Sequence, residues 1–260
     1  MHALISQLDL ENRLSLAMSL ALEAGELALR MRPAPGHATL KSAQDWLTDA
    51  DGAVERLICS RLSEAFPEDG LLGEEEGAGQ SGWPLWVVDP IDGTSTYARG
   101  GARWAISIGL IGPTGVPLLG VIHAPALRDL YSAARGRGAT LNGAAIAVSK
   151  TEHLDRAMVE VGWSPRRPNA AHQTLYARVQ GTGAMARNEG SATVGLAEVA
   201  AGRLDGYVQR HVYPWDCAAA LAMLEEVGAE WNFPLGDDLA AGGPIFAAAP
   251  GIAEALRNLI

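Results

Sequence analysis

The sequence predicts an α/β fold of stacked helix and sheet layers, and three features carry that prediction. Two segments with helical apolar spacing open the chain, a meander of short apolar strands follows, and helices and strands are then mixed to the end.

From about Asp9 to Arg32, the residues Leu10, Leu14, Ala17, Met18 and Ala21 recur at helical spacing. Asp9 is the expected N-cap, and Pro33-Ala34-Pro35-Gly36 stops the helix. A second helix is expected from about Ala50 to Phe66, with Val54, Leu57, Ile58, Leu62 and Ala65 on one face and Pro67-Glu68-Asp69-Gly70 as its closing turn. Leu85-Trp86-Val87-Val88 reads as a buried strand that runs into Asp89-Pro90. Ala105 to Ile111 and Leu118 to His123 read as strands across a Gly-Pro-Thr-Gly turn, and Asp129 to Ala134 as another. Gly136 to Val148 is Gly-rich and reads as turns. Helices are expected at Ser191 to Ala201, Trp215 to Val227 and from about Ile252, with strands at Gly206 to Gln209 and Ile245 to Ala248. A boundary near residue 150 would separate an N-terminal subdomain (1–150) from a C-terminal one (151–260), packed as one unit.

The 260 residues suffice for a substantial core, and 48% hydrophobic with 19% charged residues is a globular composition. A net charge of −10 argues against nucleic acid as a partner, because no excess of Lys and Arg is available to neutralise phosphates. Cys59 and Cys217 are the only cysteines, far apart and without metal-ligand spacing, and read as two thiols of a reducing compartment. The apolar run from Leu14 to Leu22 is bounded by charges and amphipathic, so neither a secretory leader nor a membrane span is expected. These features predict a soluble, cytoplasmic protein.

Three acidic clusters lie where the chain leaves regular structure: Gly73-Glu74-Glu75-Glu76, Asp89-Pro90-Ile91-Asp92 and Trp215-Asp216. Glu74 to Glu76 alone would read as a solvated surface. Asp89 and Asp92 differ, because a buried strand carries both to one point. Two carboxylates brought together inside a fold repel and protonate unless a cation sits between them. Mg²⁺ takes hard oxygen ligands in near-octahedral geometry, and a loop led by Pro90 can turn carboxylates and carbonyls to one centre. Gly93-Thr94 follows at once, where the backbone can approach a phosphate closely. Cations beside phosphate-binding amides are the makings of phosphoryl-transfer chemistry.

Trp86-Val87-Val88-Asp89-Pro90-Ile91-Asp92-Gly93-Thr94 resembles the signature of the inositol monophosphatase-like phosphatases. The resemblance spans nearly the whole chain: Lys41 with Asp45-Trp46-Leu47-Thr48-Asp49-Ala50-Asp51, then Gly73-Glu74-Glu75, Gly190-Ser191-Ala192, Asp205-Gly206-Tyr207 and Trp215-Asp216 are similar to its other motifs. It implies an α/β/α/β/α sandwich of the inositol monophosphatase and fructose-1,6-bisphosphatase type. It further implies a Mg²⁺-dependent phosphomonoesterase with two or three ions per site. Glu74, Asp89 and the Ile91 carbonyl would bind one metal, Asp89, Asp92 and Asp216 a second, and Glu74 would help hold a weaker third. Thr94, oriented by Asp51, would activate the attacking water together with Glu74. The Gly93 and Thr94 amides would hold phosphate oxygens, with Asp92, Ala192, Gln209 and Asp216 also at the substrate. A homodimer and sensitivity to lithium are implied as well, and exposed apolar strands in the 100–135 region would suit an interface.

Several roles stay open. Glu75 reads equally as a ligand or a surface carboxylate, Lys41 as a phosphate-side or surface residue, and Arg99 as a substrate contact or a surface arginine. His123, His153, His172 and His211 show no pairing pattern and read as structural or surface residues, and Trp83, Trp86 and Trp104 as core or rim aromatics. Thr96 stands where the family usually has Asn. Gln209 stands where inositol monophosphatases typically carry a Glu, which keeps the size but loses the charge. The expected substrate is a small polyol or sugar phosphate, with histidinol phosphate as the alternative and a non-catalytic binding or regulatory role as the reading of a different class.

Overall fold

The fold begins at Ser6, whose hydroxyl accepts the Asp9 amide at 3.1 Å and caps α1 (Gln7–Met31). Asp9 is therefore not the N-cap but a first-turn acid, where its charge still favours the helix N-terminus. The chain is seen as a computed structural model that describes residues 5–33, 39–42, 45–47, 49–235 and 239–260, without the side chains of 39–42, 45–47 and 240. The expected roles of Lys41, Asp45, Trp46, Leu47 and Thr48 thus lie outside the described side chains.

A hairpin of β1 (Thr39–Ser42) and β2 (Asp45–Leu47) leads to α2 (Asp49–Ala65). The first sheet then forms from β3 (Gly70–Gly73), β4 (Leu85–Asp92), β5 (Ala105–Ile111), β6 (Pro117–Ala124), β7 (Asp129–Ala134), β8 (Ala139–Leu141) and β9 (Ala144–Ala145), in that spatial order. Only β3 and β4 pair in parallel; from β4 onward each strand runs antiparallel to the last. One short helix, α3 (Thr94–Ala98), follows β4 directly. The second sheet comprises β10 (Met158–Gly162), β11 (Met185–Arg187), β12 (Gly206–Val212), β13 (Glu230–Asn232) and β14 (Gly243–Ala248), ordered β11-β10-β12-β14-β13. Its helices are α4 (Asn169–Gly181), α5 (Ala192–Ala200), α6 (Pro214–Glu226) and α7 (Pro250–Arg257).

Three buried clusters define the layers. Leu20, Ile58 and Trp86 belong to the one between α1, α2 and the first sheet. Val87, Leu196 and Leu221 belong to the one that encloses α5 and α6 between the sheets. Val159, Leu175 and Ile252 belong to the one under α4 and α7. The order is α/β/α/β/α, as the resemblance implied. The α6 layer sits unusually close to the sheet: a Cβ on Gly120 would lie 2.0 Å from the Ala219 carbonyl oxygen. Glycine in β6 and the run Ala218-Ala219-Ala220 in α6 therefore bring the start of α6, with Asp216, down to the end of β4.

Several sequence expectations are corrected. The strand expected at Leu85–Val88 continues to Asp92, and the Gly136–Val148 turns contain the short β8 and β9. β10 and α4 had no clear period, because buried Glu160 interrupts the first and the second buries only Leu175 and Val179. The strands in the 100–135 region are not an exposed surface. All seven residues of β5 are buried between α1 and α6.

Candidate metal and phosphate site

β4 carries Asp89 and Asp92 to the edge of a cleft, and its ladder with β5 loses register between them. That irregularity lets both carboxylates face one side. The Asp89 Oδ1 accepts the Ile91 amide at 2.9 Å, and the Ile91 carbonyl accepts the Thr94 hydroxyl at 3.0 Å, so the loop is tied by its own side chains. Gly93 turns the chain with φ of +87°, and a Cβ there would lie 2.8 Å from the Arg103 carbonyl oxygen. α3 starts at the next residue.

Oxygens of Asp89, Asp92 and Asp216 lie within 4.8 Å of one another. Asp89 is buried, while Asp92 and Asp216 open onto the cleft. Asp216 enters from the first turn of α6, where its Oδ2 accepts the Tyr213 amide at 2.7 Å. Glu74 follows β3 directly, and its amide donates to the Val88 carbonyl of β4 at 3.2 Å. Its carboxyl shares a hydrogen bond with Asp89. Asp51 is buried in the first turn of α2, and its charge reaches Glu74.

The electrostatics are those of crowded like charges. Burial, and next the charge of Asp216, hold Glu74 well above the carboxylate range. Burial, with Glu74 and Asp92 beside it, does the same to Asp89. Asp216 is pushed up to about 7 by burial and by Asp92. Asp92 is also raised by burial, but its rise is opposed by hydrogen bonds from Ser191 and Thr193 and by the Arg103 charge.

That support for Asp92 was not read from the sequence. The Ser191 hydroxyl and the Thr193 amide (2.8 Å) both donate to Asp92 Oδ2 from the start of α5. A Ser before an apolar helical run is an N-cap signal, but its reach to Asp92 is a tertiary fact. A second unread feature is a buried ion network behind the cleft. Glu160 Oε2 accepts Arg103 at 3.0 Å and Arg187 at 3.2 Å, and Glu198 Oε1 accepts Arg103 at 2.8 Å.

The cleft holds about 370 Å³ and is lined by Asp92, Gly93, Thr94, Ala192, Gln209 and Asp216 of the expected residues. It is lined further by Trp163, Arg166, His211 and Tyr213. Gln209 is largely committed to the fold: its Oε1 accepts the Tyr207 hydroxyl and its Nε2 donates to the His211 carbonyl at 2.6 Å. Arg166 Nε donates to the Tyr213 hydroxyl at 2.9 Å, and its guanidinium lies 4.6 Å from that ring's centroid. Away from the cleft, His123 bonds the Ala21 carbonyl, and Trp86 and Trp104 are core residues. Cys59 and Cys217 are free thiols. No helix among the described residues is long and apolar enough to cross a membrane.

Comparison with known proteins agrees with this geometry. Residues 9–260 match the inositol monophosphatase family. An inositol-1-monophosphatase of Rhizobium meliloti is 37% identical over 230 residues, covering 85% of each chain. A Nus factor SuhB of Xylella fastidiosa is 38% identical over 195 residues, 74% of this chain and 70% of that one. The solved inositol monophosphatase of Anabaena superposes with a TM-score of 0.85 at 32% identity, covering 96% of both chains. The acidic cluster at the end of β4, the layered fold and a match over nearly the full length agree, and the chain belongs to the inositol monophosphatase family.

Proposed function

We propose that the chain is a Mg²⁺-dependent phosphomonoesterase that hydrolyses a small polyol or sugar phosphate. The observation that carries this reading is the convergence of Asp89, Asp92 and Asp216 within 4.8 Å at the mouth of a cleft. The fit to a divalent cation rests on charge. Burial first, and then repulsion from neighbouring carboxylates, raises Glu74, Asp89 and Asp216, and a hard cation with oxygen ligands relieves both costs. Glu74, Asp89 and the Ile91 carbonyl would hold one ion, Asp89, Asp92 and Asp216 a second, with Glu74 contributing to a weaker third. Bound there, the cation supplies positive charge that stabilises the phosphate and the leaving oxygen as negative charge develops.

The chain's own residues supply the rest. Glu74 is the base that takes a proton from the attacking water. The Thr94 hydroxyl donates a hydrogen bond to the Ile91 carbonyl, which leaves its oxygen lone pairs to orient that water. Asp51 adds a buried charge behind Glu74. Gly93 and Thr94 line the cleft where α3 starts, and their amides take phosphate oxygens. Asp92, Ala192, Gln209 and Asp216 line the same cleft, on the side where the alcohol would lie.

Charge also separates the substrates. Besides Asp92 and Asp216, the only carboxylate among the described cleft-lining residues is Glu160, and it is saturated by Arg103, Arg187 and the Glu189 amide. An ammonium group in the substrate would meet no spare acid and would face Arg166. That favours a neutral or anionic alcohol over histidinol phosphate.

The relatives named Nus factor SuhB suggest a non-catalytic alternative, but binding alone gives no reason to keep four mutually repelling carboxylates. Phosphate release from inositol 1-phosphate, fructose 1,6-bisphosphate and histidinol phosphate at saturating Mg²⁺ tests the reading. Turnover of either of the first two in preference to histidinol phosphate supports it. A clear preference for histidinol phosphate overturns the substrate assignment, and no turnover of any ester overturns the activity.

A further inference from the structure

Glu55 is a fully buried carboxylate on α2 that the mechanism above does not use. Its Oε2 accepts the Glu75 amide at 2.9 Å and its Oε1 accepts the Glu76 amide at 2.7 Å. These are the two peptide groups that directly follow Glu74. On the other side of Glu74, the Gly73 backbone presses on the same carboxylate: a Cβ at Gly73 would lie 2.3 Å from Glu55 Oε1. The turn from Gly73 to Glu76 is therefore wrapped around the Glu55 carboxylate, and a side chain at residue 73 would displace that carboxylate. The Glu74 amide is held separately, by the Val88 carbonyl on β4.

A charge in that position needs a reason. Burying a carboxylate is costly, and an apolar side chain would pack α2 against the loop as well. What the carboxylate adds is direction: two charge-assisted hydrogen bonds to successive amides fix the orientation of the peptide plane.

We infer that Glu55 is a positioning residue for the metal centre, clamping the Gly73–Glu76 turn so that the Glu74 carboxylate stays aimed at Asp89 and the bound cation. This rests on the proposed role of Glu74 as a metal ligand. Glu55 itself touches neither cation nor substrate; it acts through the backbone on either side of Glu74.

The test compares the wild type, Glu55→Gln and Gly73→Ala. Gln keeps the volume and one acceptor but turns an NH₂ toward the second amide. Gly73→Ala pushes the same carboxylate away from the loop side. Mg²⁺ affinity is measured by calorimetry without substrate, and the melting temperature is measured without metal. The Mg²⁺ concentration for half-maximal p-nitrophenyl phosphate turnover and the KM at saturating Mg²⁺ are also read. Each variant is expected to weaken Mg²⁺ binding by about 10–100-fold, as loss of a residue that orients a ligand does. KM at saturating Mg²⁺ should change by less than about twofold, because substrate contacts are intact. The double variant should lose less than the product of the two single losses, since both break one contact.

Unchanged Mg²⁺ affinity in both variants overturns the inference, as does a loss that is matched by an equal rise in KM at saturating metal. If Glu55→Gln does not fold, Gly73→Ala decides by the same readings. Because calorimetry needs no turnover, a wild type that binds Mg²⁺ but hydrolyses nothing refutes the phosphatase reading while the clamp is still tested.

Discussion

The Thr193 amide donates to Oδ2 of Asp92 across 2.8 Å, joining the first turn of α5 to the end of β4. The two residues are 101 positions apart, so the contact exists only once the two sheets have packed around α5 and α6. It aims the positive end of a nine-residue helix at a proposed metal ligand and holds that ligand's unbound orientation.

Ser191 shares this duty, since its hydroxyl bonds Asp92 while accepting the Val194 amide as N-cap. Ser191→Ala should therefore do two things. Loss of the cap should lower metal-free stability by about 1 kcal/mol in urea unfolding. Loss of the Asp92 contact should weaken Mg²⁺ activation by about 10–100-fold. A stability loss with unchanged Mg²⁺ dependence would reduce Ser191 to a cap.

The raised carboxylates set the sign of a pH effect. Asp216 titrates near 7 in the metal-free fold and in the ordinary carboxylate range when unfolded. Its stabilising contribution is thus complete at low pH and is lost as pH rises through about 7. Cations bind the deprotonated form, so they work in the opposite direction. The rise in melting temperature on adding Mg²⁺ should be larger at pH 8 than at pH 6, by calorimetric scanning. An equal rise at both pH values would mean that Asp216 does not compete with protons for the metal.

Arg103 is the hub of the buried network, meeting Glu160, Glu189 and Glu198. Arg103→Met keeps the bulk but leaves Glu160 with Arg187 and the Glu189 amide. Because Arg187 still compensates Glu160 and Glu198, the loss in urea unfolding should be that of the charged hydrogen bonds removed, about 1.5–3 kcal/mol. Arg103 also opposes the rise of Asp92, so the variant should bind Mg²⁺ more weakly below neutrality. A variant as stable as the wild type would show the network to be dispensable.

How much was legible in advance follows from the range of each interaction. The Asp89–Thr94 segment was readable because a local signal, an apolar strand meeting Asp-Pro, places it. The helix pair was readable because Leu10, Ala17, Val54 and Ile58 repeat at helical spacing. Asp92's partners were not, because Ser191 and Thr193 come from another layer. Glu160 hid β10, since a buried charge inside Met158–Gly162 looks like a break in an apolar pattern and is stabilised by Arg103, Arg187 and the Glu189 amide from distant segments. Glu55 carries no local signal, since its partners are amides of the loop after β3, 20 and 21 positions away. The strands at 100–135 were misjudged as exposed for a related reason, since β5 and β6 are covered on both faces by α1 and α6.

The central claim is that the acidic cluster at the end of β4 binds cations for phosphate-ester hydrolysis. Its most direct test is phosphate release from p-nitrophenyl phosphate across a Mg²⁺ titration, with Asp92→Asn alongside. Asn keeps the acceptor for Thr193 but removes the charge. The account predicts saturable Mg²⁺-dependent turnover in the wild type and a loss of about 100-fold or more in a folded Asp92→Asn. No turnover with Mg²⁺ in the wild type, or equal turnover in Asp92→Asn, would contradict it.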